Sequence, residues 1–178
     1  AVGLFVERGL GGVSVKAIAD AADVFPSQLT YYFGSKDALF VEAACREVLH
    51  IGTAVEKAGS GATSPSGYVE AIVQSALDAP SLLLFAEAMS VARFNPDLQS
   101  RIEQTLERLY AEGARAVSEV CCAHGWMLTT PAEVEARAFW STVIGVALQQ
   151  AATASHPDPA TAQAVISLFF TLHPEVSP

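Results

Sequence analysis

The feature that most constrains this chain is its punctuation. Small polar residues recur just ahead of prolines, at Ser64-Pro65, Asn95-Pro96, Thr130-Pro131 and Asp158-Pro159, with Asp78 ahead of Pro80 as a less regular case. A small polar side chain accepts a bond from the free amides of a first helical turn, and a proline at the first position gives up no bond there. Each pair therefore opens a helix. Thr130-Pro-Ala-Glu133 also has capping-box spacing, and Ser35 caps a helix directly. Few stretches alternate as a half-buried strand would. The spacing predicts an all-α fold of about nine helices and no sheet, over residues 1–8, 15–21, 27–33, 36–57, 65–78, 81–92, 96–123, 131–154 and 159–172. Gly59 to Ser66 reads as a loop.

The helix over 96–123 is amphipathic, with Leu98, Ile102, Leu106, Leu109, Gly113, Val117 and Val120 on one stripe. Arg108–Glu112 and Arg115–Glu119 are spaced for i,i+4 ion pairs on its wet side. The last two helices differ, since neither 138–155 nor 160–172 carries a formal charge on any face. A helix apolar all round must be buried all round. Two such helices at the end of a 178-residue chain are expected to pack inward on one side and against a second copy on the other. The expected homodimer interface comprises Phe139, Trp140, Val143, Ile144, Ala147, Leu148, Ala151, Ile166, Phe169 and Phe170. Gly145 would allow close approach.

Ser14 to Lys36, SVKAIADAADVFPSQLTYYFGSK, reads as two short helices around a tight turn. Ser14 caps the first, which buries Val15, Ile18 and Ala19. Asp23 stands where a left-handed residue is needed, and Asp tolerates that better than most side chains. Val24 and Leu29 anchor the second helix, leaving Phe25, Ser27, Gln28, Thr30, Tyr31 and Tyr32 on or near its outer surface. Hydroxyls suit phosphates, and glutamine suits a base edge. Lys36, at the first turn of the next helix, adds a cation to free amides.

The net charge of −9 argues, taken alone, against a nucleic-acid binder. The excess acid is uneven. Residues 1–57 hold five basic and seven acidic side chains, whereas 58–178 hold five and twelve. Residues 1–9 read as the tail of a helix capped by Gly9, so a preceding segment is expected, and any basic arm in it lies outside this sequence. Three cysteines without framework spacing, Cys45, Cys121 and Cys122, fit a reducing cytoplasm. No signal peptide or membrane span is legible. Cys121-Cys-Ala-His124 lacks partners at zinc spacing, so no metal or cofactor is expected. No phosphate loop, nucleophile elbow or metalloprotease motif points to an enzyme.

The run Val24 to Leu39, VFPSQLTYYFGSKDAL, resembles the TetR family of one-component bacterial transcriptional regulators, as do Leu4-Phe-Val-Glu-Arg-Gly9 and Ser14 to Ala22. The remainder is similar in layout, and Phe85 to Gly125 looks closest to the choline-sensing BetI-like branch. The resemblance implies a helix-turn-helix domain at 1–46 and a helical ligand-binding and dimerisation domain at 47–178. It implies a homodimeric repressor that binds palindromic operator DNA and is released by a small molecule. Ser14, Lys16, Tyr31, Tyr32 and Lys36 match phosphate-contacting positions, and Phe25, Ser27 and Gln28 match base-contacting ones. Asp23 replaces the family's usual turn glycine. Phe25-Pro26 replaces a small polar pair, so base preference does not carry over. His50, Tyr68, Phe85, Met89, Phe94, Tyr110 and Trp126 are the expected lining of a cavity for a hydrophobic or cationic effector. The acidic balance leaves open a helical ligand-binding module without a DNA role.

Overall fold

The computed structural model describes residues 1–153, 160, 164 and 172–174. It is helical throughout: α1 (Val2–Arg8), α2 (Val15–Ala21), α3 (Pro26–Phe33), α4 (Lys36–Ser60), α5 (Pro65–Leu77), α6 (Leu82–Ala92), α7 (Pro96–His124) and α8 (Ala132–Thr153). The exception to the expected absence of sheet is a two-stranded antiparallel ribbon. Its strands are β1 (Trp126–Leu128) and β2 (Leu172–Pro174), with Met127 opposite His173. Three-residue strands leave no alternation to read in a sequence. The helix expected over 159–172 lies largely outside the described residues, as do Ile166, Phe169 and Phe170.

Local chemistry sets most helix starts. The hydroxyls of Ser14, Ser35 and Ser64 accept from the amides of Ala17, Ala38 and Gly67, and the Asn95 side chain accepts from Asp97. Two expected starts are corrected. Asp78 closes α5, held by Gln74 Nε2 at 2.6 Å, and α6 begins at Leu82. Ahead of α8, the Pro131 carbonyl accepts from the Val134 and Glu135 amides, so Pro131 holds the cap position one residue later than expected. The third helical position is then Val134, and Thr130 and Glu133 lose the capping-box register.

The long α4 is the spine. It packs against α5, α6 and α7, and its first turns also meet α1 and α3. Phe40 on α4 receives the Phe5 ring edge-on, with centroids 5.0 Å apart. Phe5, Val13, Ile18, Ala19 and Phe40 are all buried, and Leu29 and Phe33 of α3 pack half-buried against the same core, so the three short helices at the start are seated on the spine. α8 completes the bundle against α7 and α6. Phe139, Trp140 and Val143 are almost fully buried within this one chain, and Ile144 nearly so. This corrects their expected place at a dimer interface: the uncharged part of α8, from Ala138 on, spends these side chains on its own core. Among the described residues no single helix is long and apolar enough to cross a membrane.

Candidate nucleic-acid interface and ligand cavity

α2 and α3 are joined by a turn at Ala22–Phe25, where Asp23 has φ 53°, the left-handed conformation expected of it. The turn lays α3 across α2 on Val24 and Leu29, both half-buried, and Phe33 joins them. No residue of α3 is fully buried. Phe25, Tyr31 and Tyr32 are 75%, 83% and 75% exposed. The two tyrosine rings meet edge-to-face at 5.2 Å, so each limits the other's freedom. Ser14, Lys16, Ser27, Gln28 and Thr30 are exposed as well.

Two side chains in this region have local duties that spacing does not reveal. Gln28 Oε1 accepts the Phe25 amide at 2.9 Å, closing the start of α3. That bond takes one of the two lone pairs of Oε1 and holds the side chain against its own helix start, so the amide donors and one lone pair remain for a base. Lys36 Nζ donates to the carbonyls of Leu10 and Val13 at 2.8 and 3.0 Å. An ammonium has three protons, so at most one is left for a phosphate. Lys36 mainly fixes the α1–α2 loop, and through it the position of Ser14.

The cavity lies between α4, α5, α7 and α8 and has a volume of about 40 Å³. That is room for roughly three waters, at about 10–15 Å³ each. Gly52, Val55 and Glu56 contribute from α4, and Tyr68 and Ile72 from α5. Leu109, Glu112, Gly113, Ala116 and Val117 come from α7, and Ala136, Phe139 and Trp140 from α8. Gly52 and Gly113 let the helices close around it. A β-carbon at Gly52 would lie 3.0 Å from Leu109 Cδ1, and one at Gly113 would lie 3.2 Å from Ala136 Cβ. Burial, with a smaller push from Cys121 and Glu56, drives the Tyr68 phenol well above its usual range and keeps it neutral.

Of the seven residues expected to line the cavity, Tyr68 does. Trp126 stands behind it, edge-on at 6.3 Å, and stacks on His124. Phe85 is fully buried in the core and Met89 is half-buried, both away from the cavity wall. Tyr110 lies one residue, about 100° of helix, past the wall residue Leu109, and Arg137 covers its ring at 4.7 Å. His50 and Phe94 are exposed to solvent. The available signals for the true wall were the mid-helix glycines and the aromatic pair on α8. Residue type alone does not say which helix face turns inward.

A three-helix head whose third helix faces outward, carried on a long helix that enters a helical bundle, defines a helix-turn-helix regulator. Residues 1–43 match the family model described as bacterial regulatory proteins, tetR family. Residues 65–169 match that of bacterial transcriptional repressor C-terminal. A protein of Rhodococcus sp. RHA1 described as a transcriptional regulator is 38% identical, with a TM-score of 0.83 over 93% of this chain and 88% of its own. The reduced form of NemR from E. coli is 19% identical, with a TM-score of 0.71 over 98% and 95% of the two chains. The multidrug binding protein EbrR, solved with imidazole, is 19% identical, with a TM-score of 0.65 over 99% and 94%. No curated protein matches. The chain belongs to the TetR family of bacterial transcriptional regulators.

Proposed function

We propose that the protein binds palindromic operator DNA as a homodimer, represses, and is released when a small molecule enters the cavity between α4, α5, α7 and α8. The observation that carries this reading is α3. An eight-residue helix with no buried side chain presents two tyrosines, a serine, a threonine and a glutamine outward. Surface of that kind suits a groove lined with phosphates. Residues 1–46 serve as the reader and 47–178 as the sensor, with α4 running unbroken through both.

The edge of α8 away from the core supports the dimer. Leu148 and Val134 are each half exposed, Ala151 and Ala152 are exposed, and among the described residues the open side of Gly145 faces no atom within 4 Å. Two readers joined through this edge would have to sit one DNA turn, about 34–36 Å, apart. An effector that parts α4 from α7 would rotate each head and spoil that spacing. Its leverage is limited to its differential affinity for the two shapes, typically ~1–3 kcal/mol.

The test is the pattern of losses across operator variants. Tyr32→Phe is expected to weaken binding evenly on all sequences, and Gln28→Ala to relax preference at one base position. A loss for Tyr32→Phe confined to one base position contradicts the phosphate role.

A further inference from the structure

Among the described residues, the charged groups in the cavity wall are both acidic. Glu56 enters from α4 and Glu112 from α7, beside the rings of Tyr68, Phe139 and Trp140. Each carboxylate is balanced from outside the wall, in different ways. Arg108 holds Glu112 at 2.7 Å within α7, an i,i+4 pair that ties no helices together. Arg115 crosses from α7 to α4. Its Nη2 donates to both oxygens of Glu56 at 2.9 and 3.0 Å, while its Nη1 donates to both oxygens of Glu119 at 2.9 Å.

Arg115 thus has a second carboxylate on its own helix. If it leaves Glu56 it is not stranded, because Glu119 still holds it. Both members of the Arg115–Glu56 pair are partly exposed, at 49% and 39%, where an ion pair contributes little and is open to exchange. A positive group inside the cavity would meet the same carboxylate from the other side, with aromatic faces around it. A neutral ligand could fill the space but would leave Arg115 in place. An anion would face two carboxylates.

The geometry points to an effector that carries a positive charge on an aromatic or apolar body, and that acts by taking Glu56 from Arg115. The inference rests on the proposed use of this cavity as the effector site. When Arg115 lets go, α4 loses its charged tie to α7 beside the cavity. A second tie, Arg101 to Glu42, remains near the head and serves as the pivot. The present volume is too small for an aromatic cation, so occupancy and the parting of α4 from α7 are one event.

The test uses two probes that differ in charge and hardly in shape: benzyltrimethylammonium and its uncharged carbon isostere, neopentylbenzene. Each is titrated into the whole protein while tryptophan emission is followed, Trp140 being in the wall and Trp126 behind Tyr68. The cation is expected to bind at least tenfold more tightly than the isostere. Glu56→Gln should remove at least tenfold of the cation's affinity and leave the isostere unchanged, whereas Arg115→Ala should tighten the cation. Ala136→Phe should abolish binding of both. Equal affinity for the two probes, or a cation indifferent to Glu56→Gln, overturns the charge exchange while the cavity stays an effector site. Quenching by neither probe, or binding that survives Ala136→Phe, overturns the cavity reading and the exchange with it.

Discussion

Arg101 on α7 grips Glu42 on α4 through two hydrogen bonds, Nε to Oε2 at 2.6 Å and Nη2 to Oε1 at 3.2 Å. Arg115 repeats the grip on Glu56, and in both pairs the partners lie 59 residues apart in sequence. A constant offset means that α4 and α7 run parallel with two rungs between them, about 21 Å apart at 1.5 Å rise per residue. The first rung is the better shielded, with side chains 31% and 35% exposed, and Arg101 also donates to Thr105. Its bidentate geometry stabilises more than an ordinary surface pair. Arg101→Met is expected to lower unfolding free energy by about 1–2 kcal/mol, between the exposed and buried extremes. Urea denaturation measures it, and an unchanged midpoint would contradict the clamp.

Lys36 and the tyrosines of α3 should separate cleanly. Lys36→Met removes two charge-assisted bonds to the Leu10 and Val13 carbonyls, so about 2–3 kcal/mol of stability should be lost. Amide exchange should also rise in the α1–α2 loop. Tyr31→Phe and Tyr32→Phe touch exposed hydroxyls and should stay within about 0.5 kcal/mol of the parent, while still weakening DNA binding. Stability loss in the tyrosine variants, or none for Lys36→Met, reverses these roles.

Glu135 is buried at the start of α8, and among the described residues its carboxylate oxygens make no well-formed hydrogen bond. Burial pushes its carboxyl above the ordinary range, only partly offset by the neighbouring Thr130. A carboxyl with a raised folded-state value is neutral more readily when folded, so the native state holds more protons than the unfolded chain. Its contribution is therefore most favourable below about pH 4.3, the unfolded value, and is lost as pH rises through the folded value. Glu135→Gln should match the parent's pH dependence less and less above that point: its melting temperature should fall less between pH 4 and pH 8. Parallel curves for the two proteins would show that the carboxyl titrates normally.

Two residues five positions apart on α8 should behave in opposite ways. Val143 is fully buried within the chain, so Val143→Ala should cost about 1–3 kcal/mol through the lost methyl groups and the cavity left behind. Leu148 is half exposed on the outer edge. Leu148→Glu should leave protomer stability nearly unchanged and shift sedimentation toward monomer. An unaltered dimer would remove this edge from the interface.

What the residues disclosed, and what they withheld, follows from the range of the interactions. The caps at Ser14, Ser35, Ser64 and Asn95 are bonds across two or three residues, so the helix starts they set are legible in sequence. The left-handed Asp23 and the outward Tyr31 and Tyr32 are legible for the same reason. Asp78 misled because a cap at one helix end looks like a cap at the next helix start, and only the bond from Gln74 decides. The α8 aromatics misled because absence of charge marks burial without saying whose atoms do the burying. Phe139 and Trp140 turned out to line this chain's own cavity. Glu56 and Glu112 were hidden because an exposed ion pair and a cavity wall need the packing of α4 on α7 to be seen together.

The central claim is that two copies of α3, held by the bundle, read DNA one turn apart. Selection of random duplex fragments on the full-length protein, followed by sequencing, tests it most directly. The account predicts an enriched palindrome whose half-sites are spaced by about one helical turn, or about 10–10.5 base pairs, and whose recovery falls when α3 carries Tyr31→Phe and Tyr32→Phe. Retention without any enriched sequence, or no retention by a correctly folded dimer, would contradict it.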